Sequence, residues 1–150
     1  METHKIIIAV VALVITGIAL SLTTYAAITT STTVSSTGGV TTSANLGVYS
    51  NSGCTIPLSS INWGNLTAGG TITQTIYVKN TSSGLPLTLS MTTSSWNPAG
   101  AKGPITITWN QQGTRLNPGQ STAATLTLTV SSSVADITSF NVQICITGKN

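Results

Sequence analysis

The chain has 150 residues, of which 5% are charged: five Lys or Arg against two Asp or Glu, for a formal net charge of +3. The cations Lys5, Lys79, Lys102, Arg115 and Lys149 stand singly, which excludes the clustered basic stripe of a nucleic-acid binder. With His4, Glu2 and Asp136 the only other ionisable side chains of their kinds, there is no acid–base pair, no activated nucleophile and no metal-ligand spacing. We expect no enzyme, no cofactor and no bound metal.

In chain order, residues 1–26 come first. Lys5 precedes an uncharged apolar run, 6–22, and then Thr24-Tyr25-Ala26 puts a small residue at a cleavage position. This is the layout of a secretory signal peptide cut after Ala26, and it predicts an extracellular, cell-surface protein. The run is long for a signal and short for a membrane span. Two alternatives therefore stay open: a type IV-like pilin that keeps its apolar helix, and a monomeric adhesion or binding module tethered to the membrane. Lys5 is followed directly by Ile6, without the Gly or Ala that a pilin leader places there.

Residues 27–39 form the second region. Ile28, Thr30, Thr32 and Val34 fall on one face of an extended strand, and Gly38-Gly39 reads as a hinge before the folded domain. A dozen extended residues reach roughly 40 Å, beyond the width of one small domain. Such a segment can add to the sheet of a neighbouring molecule through backbone hydrogen bonds. A flexible Thr-rich stalk fits the same residues.

The third region, 40–150, alternates with period two between turn signals. Strands are predicted near 44–50, 55–62, 71–79, 85–93, 104–110, 122–131 and 138–147. The alternation is clean at Ile72, Ile76 and Val78, at Leu85, Leu87, Leu89 and Met91, and at Phe140, Val142, Ile144 and Ile146. About seven strands at this spacing predict an all-β, antiparallel two-sheet sandwich of the jelly-roll or Ig-like kind. Such a sandwich has edges, and this chain has hardly any charge with which to guard them.

Cys54 and Cys145 are the only cysteines, and in an exported chain they predict a disulfide. Closing so long a loop would contribute about 4–5 kcal/mol in the chain-entropy model. Cys145 is out of phase with Ile144 and Ile146, so the bridge is expected on the outside of a sheet. Asn65-Leu66-Thr67 and Asn80-Thr81-Ser82 are N-glycosylation sequons at predicted turns or strand ends. Trp63, Trp96 and Trp109 are read as strand-end or core residues rather than a carbohydrate platform.

Several phrases of the domain resemble a known family. They are Ile61-Asn62-Trp63-Gly64-Asn65-Leu66, Ile76-Tyr77-Val78-Lys79-Asn80, Leu85-Pro86-Leu87-Thr88-Leu89-Ser90, Ile105-Thr106-Ile107-Thr108-Trp109 and Leu116-Asn117-Pro118-Gly119-Gln120-Ser121. Together they are similar to the subunits of archaeal threads and bundling pili, related in fold to the TasA and camelysin biofilm-fibre proteins. The resemblance covers roughly residues 45–148. It implies a jelly-roll-like sandwich lacking one strand, completed by the N-terminal strand of an adjacent identical subunit. Residues 27–37 would be that donor, with Ile28 and Val34 as anchors. The implied protein is a glycosylated homopolymer serving adhesion or biofilm formation.

Overall fold

The computed structural model describes residues 33–43 and 45–150. The expected signal peptide and the residues Ile28, Thr30 and Thr32 lie outside the described residues. Chain contacts define two units, 1–30 and 31–150, and all described residues belong to the second.

Nine strands are found among the described residues: β1 (Thr33–Thr42), β2 (Leu46–Tyr49), β3 (Ser60–Thr67), β4 (Thr71–Asn80), β5 (Leu87–Asn97), β6 (Ile105–Trp109), β7 (Arg115–Leu116), β8 (Ser121–Val130) and β9 (Ser139–Lys149). A single 3₁₀ turn, Ala99–Ala101, is the only helical piece among them, so no helix there is long and apolar enough to cross a membrane. The strands form two sheets. The first has the order β3-β1-β9-β5-β7 and the second β2-β4-β8-β6. This is the expected all-β, two-sheet architecture, but with nine strands among the described residues in place of about seven, and with β1 parallel to β9 where antiparallel pairing was expected.

Period-two alternation builds the core. Ile76 and Val78 of β4, Leu126, Leu128 and Val130 of β8, and Ile105 and Ile107 of β6 turn inward from one sheet. Leu87 and Leu89 of β5 and Phe140, Val142, Ile144 and Ile146 of β9 turn inward from the other. Each such side chain is worth about 1.5–3 kcal/mol on leaving water. The ring of Phe140 also stacks on Trp96, with centroids 5.7 Å apart.

Some expected boundaries move. The strand predicted at 55–62 lies at Ser60–Thr67, because Asn51 holds the preceding loop: its Oδ1 accepts from Thr55 N (3.1 Å) and Ile56 N (3.0 Å). Within β3 the register against β1 shifts between Ser36 and Thr37. Gly64, with φ +72°, takes up this bulge, and the Asn62 side chain accepts from its N–H at 2.8 Å. The bulge lets Trp63 and Leu66, three positions apart, both point into the core.

Candidate functional site: the N-terminal strand and its slot

β1 is the first described strand of the chain, yet it sits inside a sheet and not at an edge. It pairs antiparallel with β3, Thr33 opposite Thr67 and Gly39 opposite Ser60. On its other side it runs parallel to β9, Ser35 opposite Ser139 and Thr42 opposite Ile146. Without β1 the sheet would part into β3 alone and β9-β5-β7, leaving a slot one strand wide. Only residues 43–45 join β1 to β2 in the opposite sheet, and Asn45 there has φ +67°.

The inward face of β1 carries Val34, Ser36, Gly38 and Val40. Val34, expected to anchor a donor strand in a neighbouring subunit, is fully buried here in its own chain's core. The fit below it is tight and poorly satisfied. A Cβ on Gly38 would meet the Trp63 Nε1 and the Ile144 Cδ1, each at 3.3 Å, so glycine is what lets the indole lie against the strand. Ser36 Oγ and Trp63 Nε1 are both buried and make no hydrogen bond within the protein. Burying an unpaired polar group costs about 1–3 kcal/mol. The strand is therefore held mainly by its backbone ladder on both sides.

Two expectations about this segment are corrected. Gly38 and Gly39 are not a hinge; both are paired with β3 and β9 in the middle of β1. The break in the chain comes later, at residues 43–45, so the boundary expected after residue 39 cuts through a strand. The physical reason is that a small residue in an extended segment can mark close approach of a neighbour as well as freedom to bend.

The expected disulfide is also corrected: Cys54 and Cys145 are not close, and both are free thiols. Cys145 lies on the outer face of β9, as its phase predicted, opposite Thr41 of β1 and Thr92 of β5. The Thr41 hydroxyl donates to its sulfur at 3.4 Å. Cys54 lies instead in the turn after β2, a strand of the other sheet, with φ +50° and its N–H donating to Asn51 O.

The sequons separate sharply. Asn65 is exposed on β3. Asn80, expected to be accessible, is completely buried. Its Nδ2 donates to Leu85 O (2.8 Å) and Leu116 O (3.0 Å), and its Oδ1 accepts from Ser82 N (2.9 Å). This amide ties the end of β4 to the loop 81–86 and to the end of β7, so in the folded protein it is a structural residue and not an accessible acceptor. Of the tryptophans, Trp63 is buried, while Trp96 and Trp109 are half-buried. Trp96 donates to Thr93 Oγ1 and Trp109 to Gln112 Oε1. Among the described residues no three of His, Cys, Asp and Glu come together.

No protein-family model matches the chain, and no curated protein matches its sequence.

Proposed function

We propose that this protein is a structural subunit of an extracellular surface filament, a thread or bundling pilus, in which β1 of each copy is donated to the slot of the next. The observation that supports this most is the position of β1: a strand next to the N-terminal region, yet central in its sheet, with a connection of three residues and a ladder on both sides. Removing such a strand opens the sheet without disturbing the order of the remaining strands. A strand of equal sequence from a second copy meets the same partners at the same register.

In this reading residues 43–45 straighten, β1 leaves its own slot, and an identical β1 replaces it. The interaction is heterologous and head-to-tail, so it propagates as a filament rather than closing into a dimer. The finer architecture is then a jelly-roll-like sandwich completed by a terminal strand. Export through residues 1–26 would free the segment, and Ile28, Thr30 and Thr32 would join Val34 in the donated strand. Adhesion or biofilm formation is the role that fits a neutral, Ser/Thr-rich fibre, with Asn65 as the sequon available for sugar.

The test is electron microscopy of protein sheared from cell surfaces, together with its N-terminal sequence and intact mass. The reading predicts thin filaments of a protein beginning near Ala27. Filaments retaining residues 6–22 would make the apolar segment the assembly element, and monomers alone would refute a filament.

A further inference from the structure

The edges of the two sheets are not equally protected. Residues 56–58 cover β2: Leu58 N–H donates to Val48 O at 2.9 Å and Ser50 N–H to Ile56 O at 3.0 Å. The 112–114 loop covers β5 beyond β7, with Leu89 N–H donating to Thr114 O at 2.8 Å, Gly113 N–H to Leu89 O at 2.8 Å, and Met91 N–H to Gln112 Oε1 at 3.0 Å. β3 is bent by its bulge, and the stretch of β4 beyond β2 faces it across a cleft of about 230 Å³. β6 is covered only at one end, by an isolated bridge from Lys102 to Ile105. Its sequence is Ile-Thr-Ile-Thr-Trp, without charge, proline or bulge.

The ladder parity says which groups of β6 are free. Asn110 N–H donates to Thr125 O and Ser131 N–H to Pro104 O, continuing the register in which Thr106 faces Thr129 and Thr108 faces Thr127. Thr106 and Thr108 therefore exchange bonds with β8. Ile105, Ile107 and Trp109 turn their N–H and C=O groups toward the open edge. An isolated bridge to Lys102 meets Ile105 at one end, and the centre at Ile107 is open.

We infer that this edge is an interface between two copies of the chain, joined by antiparallel β6–β6 pairing about a two-fold axis through Ile107. The strand reads nearly the same in both directions about Ile107. Antiparallel pairing sets Ile107 on Ile107, Thr106 on Thr108, and Ile105 on Trp109, with the open backbone groups of Ile107 matched at the centre and the Lys102 bridge giving way to the second copy's Trp109 at the Ile105 end. Two cavities flank the strand, and their sizes fit this register. The larger, about 370 Å³, lies at the Ile105 end beside Trp96 and Lys102, where the second copy's Trp109 arrives. The smaller, about 240 Å³, lies at the Trp109 end beside Met91 and Gln112, where the second copy's Ile105 arrives. The strand carries no charge to oppose a like strand, and Lys102 comes to the face of the incoming indole, a favourable cation–π placement. The pairing uses neither β1 nor its slot, so it stands apart from strand donation. In a filament it would be a lateral contact.

The test uses two tagged variants in a Cys54→Ser, Cys145→Ser background, Thr106→Cys in one and Thr108→Cys in the other. Both positions are exposed, so neither change disturbs the core. Mixing and mild oxidation should give a covalent heterodimer, with little cross-linking in either variant alone. In parallel, the Thr106→Lys, Thr108→Lys protein should fall to the monomer mass in light scattering, or lose lateral association if filaments form, with an unchanged circular dichroism spectrum. No heterodimer, equal cross-linking in the single-variant controls, or association that survives both lysines would overturn the β6 interface.

Discussion

β1 and β9 lie side by side and parallel in one sheet, and they are held there by different forces. The inner face of β9 presents Phe140, Val142, Ile144 and Ile146, all buried. The inner face of β1 presents Val34, Ser36, Gly38 and Val40, of which Val34 alone is a large, fully buried apolar side chain. At about 1.5–3 kcal/mol per buried aliphatic or aromatic side chain, β9 is fixed by its side chains, whereas β1 relies on its backbone ladder. A strand held by backbone bonds is exchangeable, because any copy of it supplies the same bonds at the same places. In the proposed filament, that difference suits β1 to be the donated element and β9 to be part of the acceptor.

The comparison can be broken from the β9 side first. Phe140→Ala removes a buried ring stacked on Trp96 and should cost about 3–5 kcal/mol in chemical denaturation. Val34→Ala should cost less, about 1–3 kcal/mol; an equal or larger loss would mean that β1 is packed as firmly as β9. Asn80→Ala removes the three hydrogen bonds of a fully buried amide, to Leu85 O, Leu116 O and Ser82 N, so a loss of about 2–3 kcal/mol is expected there without any effect on strand exchange. Gly38→Val places a side chain against Trp63 and Ile144 and should expel β1 from the slot, read as new protease cleavage within 33–42. Ser36→Ala removes a buried hydroxyl that has no partner, and it should leave stability unchanged or raise it by up to about 1 kcal/mol. Smallest of all should be the effect of pH. From residue 33 on the chain has one side-chain carboxylate, Asp136, and no His, so the denaturation midpoint should vary little between acid and neutral pH.

Much of the sandwich was legible in the sequence. The runs through Ile76, Leu89, Leu126 and Ile144 alternate so regularly that their strands and inward faces follow from period two alone. β1 was legible as an extended segment but not as a member of its own sheet. Ser36 and Gly38 interrupt its apolar alternation, and Gly38-Gly39 imitates a hinge, because only the position of Trp63 explains why a residue without a side chain is needed there. The bulge at Gly64 shifted the phase of β3, and β7, with two residues, is too short to leave a pattern. Two cysteines in a chain read as exported suggested a bridge, but sequence separation carries no information about where in the fold each one lies. The sequon at Asn80 failed for a similar reason, since its burial depends on loops 81–86 and 117–120, which are distant in sequence from each other.

In the proposed filament β1 moves from its own slot to that of another copy, and one native thiol reports on it. Thr41 of β1 already touches Cys145 of β9, with Oγ1 to Sγ at 3.4 Å. In a Thr41→Cys, Cys54→Ser protein, oxidation should join β1 to whichever β9 it lies beside. If strands are donated, assembled material, oxidised and then denatured without reductant, should run as a ladder of covalent multimers. A single monomer band carrying an internal disulfide would show that each β1 stays in its own chain, and strand donation would be contradicted.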